Sequence, residues 1–96
     1  MLANKQTVKA LVATLTNMES NGWYRRVWCD RALDTTKCNM AFRFWSELEA
    51  DKVAVQLQAL LKDAGYTNKV KRTSVGSDYM THTTGGDYVR VQALVD

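Results

Sequence analysis

The stretch that decides the fold is residues 23–45, WYRRVWCDRALDTTKCNMAFRFW. It contains all three tryptophans, six of the nine aromatic residues and five of the thirteen basic residues, so aromatic and cationic side chains are concentrated here. Aromatic and β-branched residues favour strands, and the polar DRALDTTK segment between them favours a loop. We therefore predict a β-hairpin with arms at residues 23–29 and 38–45.

The second arm of this hairpin alternates cleanly, and successive side chains of a strand point to opposite faces. One face is apolar and is expected to point into the core: Cys38, Met40, Phe42 and Phe44. The opposite face is expected to interleave arginine with large aromatic residues. If Cys29 lies opposite Cys38, that face carries Tyr24, Arg26, Trp28, Arg43 and Trp45.

The two cysteines flank the hairpin loop and could face each other across the strands. An intracellular protein normally keeps its cysteines reduced, and Cys is among the most buried residue types. We therefore favour buried thiols at Cys29 and Cys38, with a disulfide as the alternative. Two cysteines and one histidine cannot complete a four-ligand zinc site without carboxylates at no recognisable spacing. No metal and no cofactor is predicted.

Two amphipathic helices are predicted from apolar residues at helical spacing. The first covers residues 4–20, ends at Gly22, and buries Val8, Leu11, Val12, Leu15 and Met18. The second begins at a capping box formed by Ser46 and Glu49. It ends at Gly65, where Tyr66 is placed to contact Leu61. Its expected buried stripe is Ala50, Val53, Ala54, Leu57, Leu60, Leu61 and Ala64.

Two further strands are predicted at residues 66–75 and from 87 or 88 to 95, joined by a long Gly-, Ser- and Thr-rich loop. The two halves of the chain then look alike, because Gly22 aligns with Gly65 and Arg43 with Arg90. We predict one α+β domain over residues 1–96, made of two α-β-β units (αββαββ). The expected sheet is four-stranded and mostly antiparallel, with two helices on one face. The order of the strands stays open.

Composition limits the class of protein. The hydrophobic fraction of 46% and charged fraction of 24% are those of a folded globular domain. No apolar run approaches the roughly 20 residues of a membrane span, and the N-terminus lacks the apolar core of a signal peptide. The expectation is a cytoplasmic protein without membrane contact. The net charge of +3 permits an acidic partner.

The helices would cover one face of the sheet and leave the other face for a partner. Aromatic rings that stack on bases, beside cations that neutralise phosphates, are typical of surfaces that bind single-stranded nucleic acid. The sequence thus favours a binding module for single-stranded nucleic acid or a nucleoprotein. The candidate binding residues are Tyr24, Arg26, Trp28, Arg43, Trp45, Lys69, Lys71, Tyr88 and Arg90.

A protein partner is the alternative, because Trp, Tyr and Arg also dominate protein interfaces. That partner could be a host protein or a second copy of the chain. No catalytic constellation is found: His82 is the single histidine, and we interpret it as a solvated loop residue. A small domain without an active site resembles, by size and character and with no shared motif, phage-encoded anti-defence inhibitors of the anti-CRISPR kind. That resemblance implies a stoichiometric, non-enzymatic, protein-binding inhibitor.

Overall fold

The computed structural model describes residues 1–16, 24–29, 36–44, 46–81 and 85–95, and for residues 24–29 it describes the backbone alone. The protein is an α+β structure. In chain order its elements are α1 (Lys5–Thr16), β1 (Tyr24–Cys29), β2 (Lys37–Phe44), α2 (Glu47–Asp63), β3 (Val70–Val75) and β4 (Gly86–Leu94). The predicted end of the first helix at residues 17–20 and its Gly22 cap lie outside the described residues.

The sheet differs from the prediction. Strands β2, β4 and β3 lie side by side in that order and are antiparallel throughout. The helices pack on these three strands. The sheet that the helices cover is therefore three-stranded. The predicted four-stranded, mostly antiparallel sheet beneath both helices is therefore wrong. The backbone of β1 runs antiparallel along the outer edge of β2, from Tyr24 opposite Arg43 to Cys29 opposite Cys38.

The connection through α2 explains why no pairing of these strands is parallel. It carries the chain from β2 past one strand position to β3, and β4 then returns between them. Strands β2 and β3 each hydrogen-bond to β4 rather than to one another. Sequence periodicity carries no information on which strands become neighbours, and the arrangement is set by long-range packing.

Helix α2 has the ends that its sequence predicts. The hydroxyl oxygen of Ser46 accepts a hydrogen bond from the backbone N–H of Glu49 at 3.4 Å. At the other end, Gly65 has φ 86°, a left-handed conformation that glycine adopts without a steric penalty. The backbone N–H of Tyr66 then donates to the carbonyl of Leu61 at 2.9 Å, as in a Schellman motif. The predicted cap is confirmed.

One apolar core lies between the helices and the sheet. The predicted core face of β2 is confirmed, since Cys38, Met40, Phe42 and Phe44 are all buried. The buried apolar positions of the helices are Val8, Val12, Ala50, Val53, Leu57 and Leu61. The predicted stripe of α2 is too wide, because Leu60 and Ala64 are exposed. Positions 50, 53, 57 and 61 suffice to face the narrower three-stranded sheet.

Strand β3 begins at Val70, later than the predicted residues 66–75. The residues before it hold the N-terminal segment instead. The buried Asn68 accepts a hydrogen bond from the Ala3 N–H through Oδ1 at 2.7 Å. Its Nδ2 donates to the backbone carbonyl of Gln92 at 2.8 Å. One amide side chain therefore fixes the N-terminal segment against the end of β4.

Candidate functional site

The sheet face opposite the helices carries a groove of about 710 Å³, which we call the basic groove. Four cationic residues from β2, β3, β4 and the segment before β3 line it: Lys37, Lys69, Lys71 and Arg90. Asn39 and Gln92 add two amides to the lining. No carboxylate occurs among the described lining residues. The basic groove therefore attracts anions.

The centre of the basic groove holds two like charges. Lys71 on β3 lies directly opposite Arg90 on β4, and like charges at such positions destabilise a sheet. The Nε of Arg90 donates to the hydroxyl of Thr73 at 3.0 Å. Its guanidinium carbon lies 5.5 Å from the centroid of the Tyr88 ring. Neutral groups thus orient Arg90, and an anion between the two side chains would remove the repulsion.

Arg43 lies further along the same face, at the position opposite Tyr88. Its side chain crosses Gly86 so closely that a Cβ added to that glycine would lie 3.2 Å from the Cγ of Arg43. The absence of a side chain at Gly86 therefore gives Arg43 its path over β4. The structure brings four predicted residues, Arg43, Lys71, Tyr88 and Arg90, onto one face, with Lys69 at its end.

Other predicted site residues belong to the part of the chain described by its backbone or lie outside the described residues. At the backbone level, Tyr24, Arg26 and Trp28 pair with Arg43, Ala41 and Asn39. Their side chains, and the whole of Trp45 and His82, lie outside what the structure describes. Their roles stay predictions. Cys38 is buried and its Cα partner is Cys29, and the state of that pair also stays a prediction.

Arg72 does not belong to the basic groove, although it follows Lys71 directly in the sequence. The register places Arg72 opposite Val89, on the helix side of the sheet. There its Nη2 lies 2.8 Å from Asp87 and its Nε lies 2.9 Å from Asp51 of α2. Hydrogen bonds from Arg72 and Ser74 hold the pKa of the Asp87 carboxyl below its usual value. This arginine is neutralised.

The candidate list from sequence missed several lining residues, among them Lys37 and Asn39 of β2. The alternation of β2 places Asn39 on the same face as Arg43. The candidate list contained basic and aromatic residues only, so it left out this amide. Lys37 is the first residue of β2 and was assigned to the loop. Lys37 and Asn39 lie an even number of positions from Arg43 and so share its face of β2. A search for every polar residue on that face would have found both.

The described part of the chain contains neither a membrane-spanning helix nor a metal-binding cluster. Neither described helix has the length and apolar character needed to cross a membrane. Within the same residues, no three His, Cys, Asp or Glu side chains lie close enough together to hold a metal ion. The candidate functional site in the described residues is therefore the basic groove.

Comparison with known proteins does not assign this chain to a family. No protein family, curated protein or solved structure matches this chain.

Proposed function

We propose that the chain is a non-enzymatic binding protein that holds single-stranded nucleic acid, free or within a nucleoprotein, in the basic groove. The observation that carries this proposal is the placement of Lys71 directly opposite Arg90, without a carboxylate among the described lining residues. Folding alone disfavours this pair of cations. A phosphate between them would neutralise the repulsion and gain charge-assisted hydrogen bonds.

The rest of the basic groove supports a chain of phosphates rather than a single anion. Lys69 and Lys71 are two residues apart, which separates their positions along the chain by about 6.6 Å. This distance is comparable with the spacing of consecutive phosphates in an extended single strand. Arg43 and Tyr88 extend the surface towards the β3–β4 turn, and Tyr88 could stack on a base.

The test is a fluorescence-anisotropy titration with a labelled single-stranded 12-nucleotide oligomer of mixed sequence. We expect Lys69→Glu combined with Lys71→Glu to weaken binding at least about tenfold. Two phosphate contacts of about 1 kcal/mol each would exceed the 1.4 kcal/mol that corresponds to a factor of ten. Circular dichroism verifies that the double variant is folded.

The matched control is Lys52→Glu combined with Lys62→Glu. Both lysines are exposed on α2, on the helix side of the molecule, and the double variant has the same net charge as the groove variant. Binding should stay within about twofold of the unchanged protein if position matters. Equal losses of affinity in both variants would show that net charge, and not the position of the lysines, determines binding. No binding of any single strand by the unchanged protein would refute the proposed function.

A stoichiometric protein-binding inhibitor is the second candidate, and exposed apolar side chains away from the basic groove favour it. On α2, Leu48 is 81% exposed and Val55 is 71% exposed. In the loop after β3, Tyr79 is 96% exposed and Met80 is 89% exposed. Apolar and aromatic side chains of this kind anchor protein interfaces. This candidate predicts a partner that stays bound after nuclease treatment and is lost with Val55→Glu or Tyr79→Ala.

A further inference from the structure

Strand β3 is the last strand of the sheet, so its outer edge faces away from β4. In an antiparallel pair, alternate residues turn their backbone N–H and C=O groups away from the neighbouring strand. At an edge strand these groups can pair with a strand of another chain, and natural proteins cover or interrupt such edges. An uncovered β3 edge would therefore favour self-association.

The side-chain amide of Gln58 on α2 covers the start of this edge. Its Nε2 donates to the carbonyl of Asn68 at 3.0 Å. Its Oε1 accepts from the backbone N–H of Val70, also at 3.0 Å. The backbone of a neighbouring strand would offer the same kinds of donor and acceptor to these two groups. One side-chain amide of α2 thus takes the place that a further strand would occupy.

The next part of the edge carries a charge directed towards α2. Arg72 is two residues beyond Val70, and its Nε lies 2.9 Å from Asp51 of α2. The Arg72 side chain is only 19% exposed. A charged side chain that points inward from an edge strand is one of the devices that oppose pairing with another strand. Two separate contacts with α2 therefore protect the β3 edge.

We infer that α2 closes the β3 edge against a strand of a second copy of the chain, and that this closure depends on Gln58. Without its amide, the Asn68 carbonyl and the Val70 N–H would both lose their hydrogen-bond partner. A second copy would satisfy these groups by pairing its own β3 antiparallel to this one. The inference is independent of the proposed function, because it concerns the edge of the sheet and not the basic groove.

The test compares Gln58→Ala with Gln56→Ala by sedimentation velocity over a range of protein concentrations. Gln56 lies on the same helix and its side chain hydrogen-bonds to no residue that the structure describes. Alanine is the strongest helix former, so both variants should keep α2. Circular dichroism verifies this.

We expect Gln58→Ala to raise the self-association constant at least about tenfold, since this corresponds to roughly one net hydrogen bond. Arg72 stays in place in this variant and limits the increase. Gln56→Ala should leave the constant within about twofold of the unchanged protein. Should Gln58→Ala fold poorly, Gln58→Met keeps the length of the side chain without its amide and gives the same comparison.

Hydrogen exchange at the Val70 amide locates the contact. In dilute Gln58→Ala this amide should exchange faster than in the unchanged protein, and it should regain protection as the concentration is raised and dimers form. Gln58→Glu keeps an acceptor for Val70 and adds a negative charge at the edge, so it should associate as little as the unchanged protein.

Three results would overturn the inference. The first is that Gln58→Ala associates no more strongly than Gln56→Ala. The second is association of Gln58→Ala in which the Val70 amide stays unprotected, since the contact would then lie elsewhere. The third is association of the unchanged protein through β3, because the edge would then be open with Gln58 in place.

Discussion

At the scale of single residues, two neighbouring glycines have opposite tolerances to a side chain. A Cβ at Gly85 would lie 2.7 Å from the backbone nitrogen of Ser77 and 2.8 Å from the carbonyl oxygen of Val75. A Cβ at Gly86 would meet the flexible side chain of Arg43, 2.6 Å from its Nε. Backbone atoms of the β3–β4 turn cannot retreat without breaking the turn, whereas an arginine side chain can change rotamer.

We therefore expect Gly85→Ala to lower the free energy of unfolding by about 1 to 3 kcal/mol, the cost of overpacking. Gly86→Ala should change it by less than about 1 kcal/mol, because the change also restricts the unfolded chain. Urea denaturation followed by circular dichroism measures both. Gly86→Ala should also weaken oligomer binding as much as Arg43→Ala does, because it displaces the same side chain. Equal destabilisation by the two glycine variants would contradict the prediction.

At the scale of elements, Arg72 joins β3, β4 and α2 on the helix side of the sheet. Its guanidinium contacts Asp87 on β4 and Asp51 on α2. The hydroxyl of Ser74 donates to the same Asp87 oxygen at 2.9 Å. The cluster connects the edge strand β3 to the helix, where the sheet has no further strand on that side.

This cluster predicts a pH dependence of stability. The pKa of Asp87 is lower in the folded protein than its ordinary value, so the stabilisation is complete above the unfolded pKa of about 4. It is lost as pH falls through the folded pKa. The difference in unfolding free energy between the unchanged protein and Asp87→Asn should therefore be largest near pH 7 and shrink as the pH is lowered from about 4 towards 2. Denaturation at several pH values measures this difference.

The control for the change in net charge is Asp63→Asn on α2, which removes one carboxylate without touching the Arg72 cluster. A constant difference between the unchanged protein and Asp87→Asn at every pH would show that the ionised form of Asp87 contributes nothing to stability.

At the scale of the whole molecule, the two sides differ in whether their cations are balanced by acids. The acids and lysines of the two helices are equal in number: Glu47, Glu49, Asp51 and Asp63 against Lys5, Lys9, Lys52 and Lys62. The described lining of the basic groove carries cations and no carboxylate. The net charge of +3 is small, so under the proposed function the strength of binding should depend on where the cations lie. Cations without acids in the described lining of the basic groove therefore favour the groove face, and not the helix side, as the face that meets a polyanion.

The salt dependence of the binding constant measures how many of these cations contact phosphates. Each phosphate contact of a single strand contributes about −0.7 to the slope of log K against log salt concentration. With three or four contacts in the basic groove, the slope should be about −2 to −3. The Lys69→Glu and Lys71→Glu variant should reduce its magnitude by about 1.4. A slope near zero for the unchanged protein would contradict phosphate binding.

Much of the fold could be predicted because it depends on local sequence. The alternation of residues 38–44 identified the core face of β2, and the apolar spacing of α2 identified Ala50, Val53, Leu57 and Leu61 as buried. The cap at Gly65 and Tyr66 requires only neighbouring residues. Each of these predictions concerns residues within one helix or one strand, where geometry repeats at a fixed period.

The architecture and the composition of the site could not be predicted in the same way. The insertion of β4 between β2 and β3 decided that the helix-covered sheet is three-stranded and wholly antiparallel. The pairing of β3 with β4 decides what these faces contain, since it sets Lys71 opposite Arg90 in the basic groove and brings Arg72 to Asp87 on the other face. Register and strand order depend on contacts between residues far apart in the sequence, which periodicity does not encode.

The sequence by itself determined the elements, their apolar faces and the presence of cations on the solvent side of the strands, because these follow from local periodicity. The tertiary structure decided that Lys71 lies against Arg90, that Asn39 lies against Gln92, and that Arg72 is neutralised on the helix side. The physical reason is that β4 pairs with both β2 and β3. Its register aligns side chains from all three strands, and this alignment makes a basic groove from separate charges.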